Sequence, residues 1–287
     1  MPRMLLSLIT LALALVLGDA RATELVAQAR AALGGEKALS KIQGLSATGT
    51  IRRLVGDRTV EGETTLELQL PDKMFRTDAI DPIGSHNGAV VVTGSGINGD
   101  KVLRSTRVEN APPGAVLRTP PPPAPGSDAE AQALRNSRAE LARMTIALLL
   151  TTPAAMPMEF ASAGQAESPD GKADVLEVKG PNGFAVRLFL DASSHRPLML
   201  TYRGAVPRIV VQTQRGGTPP ATAAAPAPPG DRDLVDITMF LDDYRRVDGV
   251  QLPHHITRSV DGQPTEELTF TTIKTNPAFK ADAFSGQ

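Results

Sequence analysis

Thr65-Leu66-Glu67-Leu68-Gln69-Leu70-Pro71-Asp72-Lys73-Met74-Phe75-Arg76 decides how the rest of the chain is read. Leu66, Leu68 and Leu70 alternate with Thr65, Glu67 and Gln69. A period of two, with one apolar and one polar face, marks a strand lying on a core with its back to water. Pro71 ends that strand, and Lys73-Met74-Phe75-Arg76 opens another after a tight connection. The same grammar predicts strands over 45–54, turning at Gly56-Asp57, then 59–70, 74–80 and 101–108. The more continuously apolar 89–93 reads as a strand buried on both sides. Farther on, strands are expected over 175–179, 184–190, 198–203, 209–214, 234–246, 250–259 and 266–273. Asn98-Gly99, Asn182-Gly183, Asp248-Gly249 and Asp261-Gly262 sit between them as hairpin turns.

Helical periodicity is scarcer. A first helix over 23–33 can place Leu25, Ala29, Ala32 and Leu33 on one face, and Gly34-Gly35 stops it. Residues 36–42 add a turn or two. The long helix is expected over 128–150, where Ser127 and Glu130 form a capping box. Leu134, Leu141 and Leu148 lie on one stripe, and the last two turns (Met144, Ile146, Ala147, Leu148, Leu149, Leu150) are apolar all round. Such a helix end is buried on every side. Pro153 and Pro157 stop it. The predicted fold is therefore mostly β (α+β): one curved antiparallel sheet, an incomplete barrel, closed by helices in a single domain over 23–287. Pro-rich loops at 112–125, a polyproline spacer, and at 218–230, a low-complexity tract, interrupt it.

Composition narrows the function. The 287 residues carry a formal net charge of −1, so no basic surface argues for nucleic acid. Aromatics are 3% and Trp is absent, leaving few platforms for stacking bases or sugars and an aliphatic core. Arg3, the apolar run 5–17 and Ala20-Arg21-Ala22 have the form of a secretory signal cleaved after Ala22. The run is shorter than the roughly 20 apolar residues of a membrane span. With no cysteine, neither a disulfide nor a lipidated Cys is available, which fits a periplasmic location.

No catalytic pattern stands out in the sequence. Gly94-Ser95-Gly96-Ile97-Asn98-Gly99 has dinucleotide-fingerprint spacing, but a strand follows where the pyrophosphate needs a helix amino end, so a glycine-rich turn is expected. His254-His255 are adjacent on a strand and point to opposite faces, which makes them poor co-ligands, while His86 and His195 have no neighbouring partner. Asp242-Asp243 and Glu266-Glu267 read as solvated carboxylates at strand edges. No Gly-x-Ser-x-Gly elbow or Cys offers a nucleophile. The sequence points to a non-enzyme with no metal and no cofactor.

What remains is apolar surface. Leu66, Leu68 and Leu70, Val186, Leu188 and Leu190, Leu198 and Leu200, and Ile237, Met239 and Leu241 form inward strand faces. Opposite them stand Leu134, Leu141, Met144 and Leu148 of the long helix. They make either an ordinary core or a cleft between sheet and helix that admits an acyl chain, for which methyl-rich, aromatic-poor walls are suited.

The order of elements resembles the periplasmic lipoprotein-carrier, LolA-like family. The local match runs from Glu61-Gly62 and Leu66 through Leu70-Pro71-Asp72-Lys73-Met74-Phe75-Arg76, then Val90-Val91-Val92-Thr93 to Asn98-Gly99-Asp100-Lys101. Asn276-Pro277-Ala278-Phe279 to Phe284 is similar to the family's closing segment. The resemblance implies an incomplete β-barrel with an apolar cavity for lipoprotein acyl chains. In the family an Arg just before the Pro holds a lid shut; Leu70 stands there in this chain, leaving Arg52 or Arg53 as candidate substitutes. The expectation is an exported, monomeric, non-enzymatic protein that binds lipid or lipoprotein acyl chains and meets an envelope protein partner. The alternative is a periplasmic scaffold or sensor module with a solid core and no ligand.

Overall fold

The computed structural model describes residues 20–81, 89–110, 122–205 and 234–286. The expected signal run 5–17, the strand over 209–214, His86, the tract 218–230 and most of the tract 112–125 lie outside the described residues. Helix α1 covers 20–32 and α2 Glu36–Leu39. Five strands follow: β1 (Gly44–Val55), β2 (Arg58–Gln69), β3 (Lys73–Ile80), β4 (Val90–Asn98) and β5 (Lys101–Glu109). Helix α3 (Asp128–Leu149) separates them from β6 (Glu159–Ser168), β7 (Gly171–Lys179), β8 (Ala185–Asp191), β9 (Pro197–Ala205), β10 (Leu234–Val247), β11 (Val250–Val260) and β12 (Gln263–Thr275).

All twelve strands belong to one sheet in the order β5-β4-β3-β2-β1-β12-β11-β10-β9-β8-β7-β6, and every pairing is antiparallel. Two meanders are thus joined along β1 and β12, and among the described residues β5 and β6 are left as edges and the barrel is not closed. α3 touches β4 and β5 near one edge and β9 and β11 in the other half. A helix only reaches both if the sheet bends round it, and the expected curved sheet over a central helix is what the chain builds. Asn182 at φ 57° followed by Gly183 at φ 74°, and Asp261 at φ 47° followed by Gly262 at φ 79°, are the paired left-handed residues that tight hairpins require.

Three sequence expectations differ. β6 was not foreseen, because Phe160 is its only large apolar residue and most of the strand is exposed. As an edge it has no second face to bury, and a bulge between Ser162 and Gln165 twists it away from further pairing. The stretch around Gly94 and Gly96 is not a turn but the second half of β4. A Cβ on Gly94 would stand 2.4 Å from the Phe75 ring, so that ring occupies the place of the missing side chain. And β4 is buried at Val92 but only partly at Val90 and Val91, so it is not covered evenly on both sides.

One cluster of buried side chains fills the hollow, drawing on α1, both meanders and α3. A second, smaller one (Phe75, Leu103 and Phe284, with Phe279) glues the carboxyl-terminal segment to the opposite face of β3–β5. Among the described residues no helix is long and apolar enough to cross a membrane.

Candidate functional site

The hollow has an apolar floor. Leu66, Leu68, Val186, Leu188, Leu190, Leu200 and Met239 are each at most 2% exposed, and Leu141, Met144 and Leu148 of α3 at most 5%, all in the same cluster. Leu70 and Leu134 pack against its margin. Leu198 does not join them: it is 39% exposed. The β8–β9 register passes from Phe189↔Met199 to Leu190↔Pro197, so the ladder skips Leu198 and the bulge breaks the parity it would share with Leu200. From Leu141 to Leu150, with Arg143 as the exception, α3 is buried side chain after side chain, Thr145 satisfying its hydroxyl on Leu141 O and Ala142 O.

α1 lies at the end of α3. Ala22, Leu25, Ala29 and Leu33 enter the core, and Gly34 and Gly35 end the helix. A Cβ on Gly34 would lie 2.5 Å from Gly249 O, and Gln251 N donates to Leu33 O at 2.8 Å, so α1 docks tightly on the β10–β11 turn. Arg30 then donates to the last carbonyls of α3, Leu150 O at 2.6 Å and Leu149 O at 3.4 Å, while Glu36 pairs with its other side. These carbonyls are the negative end of the helix and have no partner within it. Arg30, not Arg52 or Arg53, is therefore the arginine that ties the covering helix to α3. Arg52 pairs with Glu61 and Glu267 on the outside.

Arg53 belongs to the feature that sequence reasoning missed. At the other end of the buried part of α3, charged side chains line the inner face. Register places Glu266 of β12 opposite Arg53 of β1 on one side and Arg258 of β11 on the other. Arg53 binds Asp78 at 2.8 Å and Glu266 at 2.7 Å. Arg76 reaches both carboxylates as well, at 2.9 Å and 2.7 Å, and Thr64 donates to Asp78 at 2.7 Å. Arg258 pairs with Glu140 of α3 at 2.5 Å and is 4.0 Å from Glu266. Arg143 binds Glu140 at 3.2 Å and lies 3.9 Å over the Tyr202 ring. Burial alone would push the Glu140 carboxyl up, but Arg258 and Arg143 outweigh it and hold it at about 2. Glu266 is likewise held far below the usual range by Arg76, Arg258 and Arg53 against its burial. Four guanidiniums face three carboxylates here, and the Nε atoms of Arg143 and Arg258 are buried with no hydrogen-bond partner among the described residues. Glu266 is thus no solvated edge carboxylate. The signal was available: Arg76 and Asp78 share parity with Met74, Arg258 with Ile256, and Glu266 with Leu268.

The paired histidines do part as expected. His254 is buried with Nδ1 against Leu252 O at 3.1 Å, and His255 meets Glu267 at 2.8 Å on the other face. Two surface depressions lie outside the hollow, the second against the charged cluster. One of about 580 Å³ runs between Lys73, Lys101, Lys280, Phe279 and Phe284 on the outer face. The other, of about 340 Å³, borders Arg53 and Glu266 at the rim together with Leu54 and Thr257.

No family model matches the chain, and no curated protein matches its sequence. Solved structures do resemble it. An outer membrane lipoprotein-sorting protein domain from Vibrio parahaemolyticus is 12% identical at TM-score 0.47, with 93% of this chain and 97% of that one covered. A LolA superfamily protein from Nitrosomonas europaea is 12% identical at TM-score 0.45, covering 89% and 96%. A DUF1329 family protein from Desulfovibrio piger is 10% identical at TM-score 0.46, covering 92% and 96%.

Proposed function

We propose that the protein is an exported, non-enzymatic binder of acyl chains, whether of a lipid or of a lipoprotein, and that the hollow of the sheet is where the chain lies. The observation that carries this is α3 itself. The last nine residues, Leu141 to Leu149, apolar except for Arg143 and Thr145, form a rod about 14 Å long at about 1.5 Å per residue, inserted into an unclosed sheet rather than laid on it. α3 and a guest compete for one volume, and the floor residues Leu66, Leu68, Val186, Leu188, Leu190, Leu200 and Met239 serve either. Arg30 fastens the end of the rod and is the contact a guest has to undo. The reading also assigns residues 1–22 to an export signal; a cut after Ala22 removes the first residues of α1, the buried Ala22 and the Arg21–Asp174 pair among them, and amino-terminal sequencing of the exported protein checks it.

Native mass spectrometry of the purified chain with fatty acids and lipopeptides tests the reading. One acyl chain per protein molecule is expected; no uptake at any concentration contradicts it. The dense packing of the floor favours one other reading, a periplasmic scaffold with a solid core, in which deletion of residues 218–230 abolishes partner capture and acyl uptake is never seen.

A further inference from the structure

Arg143 apart, the buried half of α3 has the layout of an acid-headed amphiphile: the Glu140 carboxylate at one end and the apolar side chains from Leu141 to Leu150 behind it. We infer that Glu140 imitates the headgroup of the natural ligand, and that this ligand is an acyl chain bearing an acidic group, carboxylate or phosphate, which replaces Glu140 at Arg258. The inference rests on the acyl-binding reading above and names the ligand class.

Arg258 is the residue that carries it. Among the described residues its only close carboxylate is Glu140, at 2.5 Å, since Glu266, 4.0 Å away, is already engaged by Arg53 and Arg76. When α3 withdraws, Glu140 and Arg143 leave together. The sheet keeps Arg53, Arg76 and Arg258 against Asp78 and Glu266, an excess of one positive charge on an inward face. A guanidinium left buried and half paired is strongly unfavourable. A neutral headgroup does not relieve it. A planar carboxylate or a phosphate does, since either accepts two parallel N–H bonds from the guanidinium fork, and the Arg258 Nε, buried without a partner among the described residues, is one of those donors. The rest of the hollow supplies the floor on which the acyl chain replaces the rod, side for side. Headgroup and tail are then read by the same two zones of the sheet that read Glu140 and the apolar turns of α3.

Calorimetric titration of the full chain with dodecanoate, dodecyl phosphate and dodecanol, each kept below its micellar concentration, tests the assignment. At least one of the two anions is expected to bind about tenfold or more tightly than the alcohol, and whichever does so identifies the headgroup source. Glu140→Gln, which loosens α3 for any guest, is expected to tighten anion and alcohol alike by several-fold and to leave the preference between them intact. Arg258→Met combined with Glu140→Gln, which leaves no carboxylate stranded, is expected to erase the preference while dodecanol still binds. Arg258→Lys, which keeps the charge but not the fork, is expected to retain part of it. Equal affinity of the native chain for acid and alcohol overturns the inference and leaves acyl binding standing. Binding of none of the three overturns both. A preference that survives the double substitution removes Arg258 from the role.

Discussion

Glu266 concentrates the physics of this interior in one side chain. It is 11% exposed, accepts from Arg53 and Arg76, and has Arg258 beside it. Removing one member of such a buried cluster leaves the others uncompensated, so Glu266→Gln is expected to cost about 3–5 kcal/mol in urea unfolding. Leu141, 3% exposed, is the neighbouring apolar test. Leu141→Asp buries a carboxylate among aliphatic groups and is expected to lose several kcal/mol, read as failure to show a cooperative thermal transition. The apolar half of this site was legible residue by residue, since Leu66, Leu68, Leu188 and Leu200 all lie inward as their alternation required. The ionic half was not legible in that way, since it carries neither an apolar face nor a catalytic or metal spacing. Arg76 and Asp78 are far in sequence from Arg258 and Glu266, and the two pairs meet only through strand register. Leu198 failed for the opposite reason, a one-residue bulge that no pattern of side chains announces.

At the scale of elements, the distribution of polar and apolar turns along α3 decides its placement. Its first turns are exposed and capped by Ser127 through Glu130 N at 3.2 Å, while its last turns are wholly enclosed. The sequence foretold both, together with eleven of the twelve described strands, because each carries an apolar face or a turn pair. β6 lacks the face, and so it was silent. The fastening of α1 to α3 was also silent, since Arg30 makes it with backbone carbonyls that carry no sequence signature. Arg30→Ala is expected to cost about 1–3 kcal/mol and, more tellingly, to speed amide hydrogen exchange over 141–150 while leaving β1 and β2 protected as before.

For the whole molecule, the hollow and its helix form one system held at two ends, by Arg30 at the apolar end and by the charged cluster at the other. The cluster has a pH signature. Glu140, at about 2 when folded against a usual 4.5, and Glu266, also held below the usual range, both have depressed values. Their contribution is therefore complete above about 4.5 and is lost as pH falls through the folded values. Stability is expected to be level from about pH 7 to 5 and to fall steeply between about 4.5 and 2, as read by urea midpoints across that range. Displacement of α3 is the remaining consequence and the most exposed one. The chain has no cysteine, so spin labels placed by Asn136→Cys on α3 and Thr272→Cys on the outer face of β12 report one distance without interference. Pulsed electron resonance with and without saturating dodecanoate is expected to show that distance lengthen and its distribution broaden. Bound dodecanoate with an unchanged distribution would contradict the exchange of helix for guest.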